Sequence, residues 1–199
     1  MSRLEFSKDD LAQLVNRLVA EYPVKEILET GTYLGLGTTQ ILAKTGLPVT
    51  TIECSLHNYQ IAVDNLKELP NVTCLHGYSL KRAMMEDFIK ADDFDAEKVG
   101  AATDIHESGR VGFYLGEIGH GDLPEDLLKT NLRANQLVFL DSAGGVGWLE
   151  FMVVYRSKLP VLLMMDDVEH FKHYRSVEFL QSVEKPVQTA GRWGWCYLG

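Results

Sequence analysis

Several protein classes are excluded by what this sequence lacks. It has three cysteines in 199 residues, Cys54, Cys74 and Cys196. The count is odd and no pair has C-x-x-C spacing, so neither a disulfide framework nor a cysteine redox motif is expected. Cys54 and Cys74 lie in strand-like apolar runs and read as buried reduced thiols, which fits an intracellular compartment. No apolar run approaches the ~20 residues of a membrane span. The start, Met1-Ser2-Arg3-Leu4-Glu5, lacks the basic stretch and apolar block of a signal peptide, so a cytoplasmic location is expected. Clustered basic residues are also missing. Lys and Arg total 19 against 28 Asp and Glu, for a formal net charge of −9. The basic residues are scattered, with only short pairs such as Lys81-Arg82. Such a surface repels polyanions, so nucleic acid is not an expected partner and neither is a membrane. There is no internal repeat and no low-complexity tract.

What remains is the composition of an ordinary globular chain, 46% apolar and 24% charged, long enough for one domain over residues 1–199 with a full layered core. Ser7 is positioned to cap a helix over Asp9 to Tyr22, where Leu11, Leu14, Val15 and Leu18 recur at helical spacing. A rhythm then begins. Strand-like runs at Glu26–Thr30, Val49–Glu53 and Val72–His76 alternate with helical runs at Thr38–Lys44, Tyr59–Leu69 and Leu80–Lys90. It resumes with strands at Gln136–Leu140 and Pro160–Met165 and helices at Gly147–Lys158 and His170–Val183. Two short strands close the chain, Pro186–Ala190 and Trp193–Leu198. This alternation predicts an α/β fold with a parallel sheet covered on both faces. Residues 91–132 break the rhythm with many glycines and acids. They read as an insertion, with a short helix near Glu125–Leu132, or as a lid whose Phe113-Tyr114-Leu115 could close on a ligand.

The most informative segment joins the first strand to the next helix and carries Gly31, Gly35 and Gly37. Its spacing is Glu29-x-Gly31-x-x-x-Gly35, not the Gly-x-Gly-x-x-Gly of a dinucleotide fingerprint. A carboxylate two positions before the first glycine would repel a pyrophosphate and favour a cationic or amino-bearing ligand. S-adenosylmethionine, with its sulfonium and ammonium, is such a ligand. Glu53 ends the second strand, where an acid can accept both hydroxyls of a ribose. Thr38 and Thr39 open the following helix, as caps or as ligand contacts.

The run Glu29-Thr30-Gly31-Thr32-Tyr33-Leu34-Gly35 resembles motif I of the class I S-adenosylmethionine-dependent methyltransferases. It is most similar to the small-molecule branch of the methyltransferase family 24 type, whose loop reads Glu-x-Gly-Thr-Tyr-x-Gly. The resemblance extends over most of the chain outside 91–132. It implies a Rossmann-like three-layer sandwich with a seven-stranded, mostly parallel sheet of order 3-2-1-4-5-7-6, the last strand antiparallel. It implies S-adenosylmethionine as cofactor, with Glu29, Gly31, Thr32, Tyr33, Gly35, Thr38 and Thr39 around the methionyl part and Glu53 at the ribose. Tyr78 and Ser79, after the third strand, would flank the adenine, and Asp141 would complete the cofactor site.

Asp141 and Asp166-Asp167 end the two strands expected beside the first, where open α/β sheets bind ligands. Two functional readings stay open. In one, Asp141, Asp166 and Asp167 hold Mg²⁺ or a similar hard cation that orients an acceptor hydroxyl. In the other, His170 or Asp141 is a general base without metal. Against both, Asp166 or Asp167 merely caps the next helix. The expected function is methyl transfer to a small-molecule oxygen or nitrogen nucleophile, by a monomer or a homodimer. An NAD(P)-dependent oxidoreductase and a non-catalytic binding module on the same fold are the alternatives.

Overall fold

The computed structural model describes residues 7–91, 107–119, 121–169 and 171–199. Helix α1 (Lys8–Glu21) starts with a capping box: the Asp10 N–H donates to Ser7 Oγ, and the Ser7 N–H donates to the Asp10 carboxylate. Then follow β1 (Glu26–Thr30), α2 (Thr38–Ala43), β2 (Val49–Glu53), α3 (Leu56–Leu66), β3 (Val72–His76) and α4 (Arg82–Ala91). Next come α5 (Glu107–Ile118), α6 (Leu127–Asn131), β4 (Gln136–Leu140), α7 (Val146–Ser157) and β5 (Leu162–Met165). Helix α8 (Tyr174–Ser182) and the pair β6 (Gln188–Ala190) and β7 (Trp193–Tyr197) complete the chain.

The seven strands form one sheet in the order β3-β2-β1-β4-β5-β7-β6. Pairs from β3 through β5 are parallel, and β7 runs antiparallel to both its neighbours. The central strands are apolar at successive positions because both faces are covered. On one face Leu28, Val138, Leu140, Leu163 and Met165 pack with α4, α5 and α7. On the other Ile27, Leu137, Phe139, Leu162 and Met164 pack against α1 and α2.

The segment expected to be an irregular insertion is more ordered than its glycines suggest. Residues 92–106 and 120 lie outside the described residues, but α5 and α6 are regular. In α5 Val111, Tyr114, Leu115 and Ile118 follow helical spacing and pack on the core, while Gly112 and Gly116 have open space around their Cα atoms. Helical periodicity here overrides the entropic cost of the glycines. Cys54 and Cys74 are half-buried thiols, and Cys196 is the buried one. Among the described residues no helix is long and apolar enough to cross a membrane.

Candidate functional site

The carboxyl ends of β2, β1, β4 and β5 lie level, with Ile52, Thr30, Leu140 and Met165 in mutual register. Backbone bonds carry that register into the loops. Gly31 N–H donates to Ile52 O, Asp141 N–H to Thr30 O, and Asp166 N–H to Leu140 O. The chain leaves β1 toward β2 and β3 on one side, while β4 and β5 lie on the other, so a crevice opens between β1 and β4. A cavity of about 610 Å³ fills it and runs on across β2 toward α4 and α5.

Six of the expected cofactor residues line this cavity: Gly31, Tyr33, Thr38, Glu53, Ser79 and Asp141. Gly31 has φ +83°, and a Cβ there would lie 2.5 Å from the Asp141 carbonyl oxygen. Only glycine lets the β1 loop pass this close to the β4 loop. Tyr33 follows in left-handed conformation, φ 53°, with its side chain exposed. The Glu53 carboxylate grips this turn: Oε2 accepts from the Tyr33 N–H at 2.7 Å and Oε1 from the Ser55 N–H at 2.8 Å. Burial raises the Glu53 pKa, and these backbone bonds oppose the rise.

The other five are placed elsewhere. Glu29 is fully buried and does not line the cavity, contrary to the expectation that it meets the ligand's positive charge. Its Oε2 accepts the hydroxyls of Thr39 and Thr51, both at 2.7 Å, so the carboxyl ties β1 to α2 and β2. Burial pushes its pKa up to about 7, against those two hydrogen bonds. Thr39 is thus occupied with Glu29, and Thr32 pairs with Thr51 at 2.6 Å. Gly35 makes room for Leu66 and Ala62 of α3, not for a ligand. Tyr78, which the resemblance sets beside the adenine, is buried in the core instead, its hydroxyl 3.4 Å from the Gly121 carbonyl. The Tyr78-Ser79 backbone is stitched to the start of α6 through Tyr78 N–H to Pro124 O and Leu127 N–H to Tyr78 O. Apolar cover on that side comes from Ile52, Met85, Ile89 and Ile118, with Phe113 and Tyr114 of α5 also on the cavity wall.

Glu150 of α7 was not singled out in the sequence. It is fully buried, with Oε2 accepting from Thr30 Oγ1 at 2.8 Å and Oε1 from Ser142 Oγ at 2.7 Å. One carboxyl therefore joins the ends of β1 and β4 beneath the cavity. Burial raises its pKa, opposed by hydrogen bonds from Ser79, Ser142 and Thr30. A buried acid on a helix face reads from sequence as an ordinary surface Glu, and only its three hydroxyl partners, all at strand ends, mark it.

The acids after β4 and β5 come together as expected, but around side-chain cations. Lys172 Nζ lies 3.0 Å from Asp141 Oδ1, 3.5 Å from Asp166 Oδ2 and 3.6 Å from Asp167 Oδ2. Arg192 forks onto Asp166 through Nε and Nη2 and reaches Asp167 Oδ2 at 2.7 Å. Burial works to raise the pKa of Asp166, but Lys172 and Arg192 outweigh it and hold this carboxyl below its ordinary value. For Asp141 burial prevails over Lys172, and its pKa is raised. Burial likewise works against the Lys172 charge, yet the surrounding carboxylates hold its pKa above the usual value. Of the two readings of Asp141, Asp166 and Asp167, the Mg²⁺ site is accordingly not supported among the described residues. The carboxylates face an ammonium and a guanidinium, and among the described residues no three His, Cys, Asp or Glu side chains are arranged to hold a metal. Asp167 does not reach the cavity. His170 lies outside the described residues. His173 is buried, with Nε2 3.3 Å from the Leu140 carbonyl and Nδ1 3.3 Å from Ser176 Oγ.

No protein-family model matches the sequence, and no curated protein matches it either. Solved structures do match. An O-methyltransferase from Bacillus cereus in complex with SAH superposes with a TM-score of 0.57 at 16% identity, covering 98% of this chain and 84% of that one. The fold is that of the class I methyltransferases. A proposed O-methyltransferase from Klebsiella pneumoniae gives a TM-score of 0.58 at 17% identity, over 98% of this chain and 82% of the other. A proposed caffeoyl-CoA O-methyltransferase from Staphylococcus aureus gives 0.57 at 15%, over 95% and 83%. At such identities the likeness to class I methyltransferases is one of fold, and residue roles rest on the geometry of this chain.

Proposed function

We propose that the chain is an S-adenosylmethionine-dependent methyltransferase acting on a small molecule. The observation that carries this reading is the joint placement of Gly31, Tyr33 and Glu53: a glycine turn with a carboxylate clasping its backbone, at the switch point of a methyltransferase sheet. The donor set suits an amino-acid-bearing nucleoside. Glu53 offers carboxylate lone pairs to a ribose diol, Ser79 and the apolar wall of Ile52, Met85 and Ile89 suit a purine, and the loop through Gly37 and Thr38 suits the amino-acid end. A cavity of this size lies within the usual ~300–1,000 Å³ range of ligand sites, which supports a small acceptor. The formal net charge of −9 supports the same reading over a nucleic-acid acceptor.

When bound, S-adenosylmethionine supplies an electrophilic methyl group. The chain's own contribution is placement. Asp141 and Lys172 hold the acceptor end of the cavity, Phe113 and Tyr114 of α5 cover it from water, and in-line alignment of acceptor and methyl carbon supplies most of the rate. Asp141, Asp166 and Asp167 are paired with Lys172 and Arg192, so the described residues do not fit a divalent metal. A cytoplasmic location and a homodimer remain compatible with this reading.

Isothermal titration with S-adenosylhomocysteine tests it directly. Binding that is weakened by Glu53→Ala is the expected result. Thermal stabilisation by NAD, with none by S-adenosylhomocysteine, would overturn the assignment.

A further inference from the structure

Lys172 stands out as a largely buried cation on a cavity wall. Its side chain is 12% exposed, yet it lines the same cavity as Gly31 and Glu53. An ammonium has three N–H donors. One is well used, on Asp141 Oδ1 at 3.0 Å. The contact to Asp166 Oδ2 at 3.5 Å is at the limit of a hydrogen bond, and Asp167 at 3.6 Å is beyond it. Those two carboxylates direct their oxygens to Arg192 at shorter range. Lys172 therefore retains donor capacity facing a cavity, and its charge is held in place by three acids.

We propose that Lys172 is the resident cation of the acceptor subsite, in the place that one of the two readings of these acids gives to a divalent metal, and that it selects an acceptor reacting through an oxyanion. The inference rests on the methyltransferase reading for its chemistry, but not for its geometry. An ammonium donates and cannot accept, so it favours a ligand oxygen carrying negative charge and disfavours a protonated amine. Of the two acceptor classes left open by the sequence, this selects oxygen.

The chemical step balances without a metal. The acceptor hydroxyl loses its proton to solvent on binding, and its oxyanion is held by the Lys172 N–H. The oxygen lone pair forms the bond to the methyl carbon as the carbon–sulfur bond breaks, and that bonding pair stays on sulfur. The oxyanion and sulfonium charges cancel, leaving a neutral ether and a neutral thioether.

The test uses 4-nitrophenol, whose ionised form absorbs in the visible, titrated into the full chain with and without S-adenosylhomocysteine. Wild type should draw the bound dye toward its anion, with no change on adding EDTA or Mn²⁺. Lys172→Met should weaken binding of the anion roughly ten- to hundredfold, the worth of one hydrogen bond to a charged group. Lys172→Arg should retain part of it. The double variant Lys172→Met/Asp141→Asn guards against misfolding, since it leaves no uncompensated Asp141 charge; it too should lose the spectral shift. Absence of the shift in wild type, its persistence in both Met variants, or its dependence on added Mn²⁺ overturns the proposal. Failure of S-adenosylhomocysteine to bind, with the dye result intact, overturns only the methyl-transfer reading.

Discussion

The carboxylate of Glu53 holds the backbone N–H of Tyr33 at 2.7 Å, so the acid that ends β2 fixes the turn that follows β1. Tyr33 adopts a left-handed conformation that a non-glycine residue holds only when its surroundings impose it. Glu53→Ala frees the Tyr33 and Ser55 amides together and removes the carboxylate from the cavity. The expected outcome is a loss of S-adenosylhomocysteine affinity of roughly tenfold or more, from one charge-assisted hydrogen bond alone. Glu53→Gln, which keeps one acceptor oxygen, should fall between the two. Calorimetric titration of the three proteins checks the order.

Two glycines of the same loop should respond in opposite ways. At Gly31 an added Cβ would lie 2.5 Å from the Asp141 carbonyl oxygen, on a backbone with φ +83°. Rigid backbone cannot yield cheaply there, so Gly31→Ala should cost about 2–4 kcal/mol and open the crevice between β1 and β4. Gly37 has nothing within 4 Å of the same added atom and a negative φ. Gly37→Ala should stay within about 1 kcal/mol of wild type. Urea unfolding of both variants separates the loop's steric requirement from a general intolerance of side chains.

The strands and helices were legible in the sequence from periodicity, and the crevice from glycine and acid spacing, whereas the strand order followed only from the resemblance to class I methyltransferases. The alternation of β1 to β3 with α2 to α4, and the closing β6–β7 pair, follow from local patterns that tertiary contacts reinforce. Side-chain direction was not legible. Glu29 and Glu53 look alike as acids at strand ends, yet one turns toward Thr39 and Thr51 and the other into the cavity. The cations that neutralise Asp141 and Asp166 come from positions 172 and 192, on different segments, and no spacing rule links those positions to the acids. Helix α5 was hidden by its own glycines. Glu150 was hidden because its partners, Thr30 and Ser142, are brought to it from the ends of two different strands, β1 and β4.

Glu150 should prove costly to remove. Its carboxyl is fully buried and satisfies the hydroxyls of Thr30, which is buried, and of Ser142, which is half-buried on the cavity wall, so Glu150→Ala leaves both without their acceptor and a void beneath the cavity. Each unsatisfied group costs about 1–3 kcal/mol, and the void adds to that. A destabilisation of about 3–5 kcal/mol is expected by denaturant unfolding. Glu150→Gln keeps an oxygen and the volume, and should recover more than half of the loss. Equal stability of the Ala variant and wild type would show that Thr30 and Ser142 find other partners.

The buried acid at position 29 sets a pH dependence whose direction follows from linkage. Its folded pKa is about 7 against an ordinary 4.5, raised by burial. Between those values the folded chain keeps a proton that the unfolded chain has released. The folded state then binds more protons, so unfolding free energy falls as pH rises from 4.5 to 7, and levels off above. The full swing from this one group is on the order of 3 kcal/mol. Glu53 and Glu150, also raised by burial, act in the same direction, so the wild-type slope alone does not isolate position 29. The comparison with Glu29→Gln does. Urea unfolding at pH 4.5 and pH 7 should give a smaller fall in stability for the Gln variant than for wild type, whatever the variant's absolute stability. Equal falls in the two proteins would mean that Glu29 is already ionised when folded at pH 4.5, stabilised by Thr39 and Thr51 more strongly than burial opposes it.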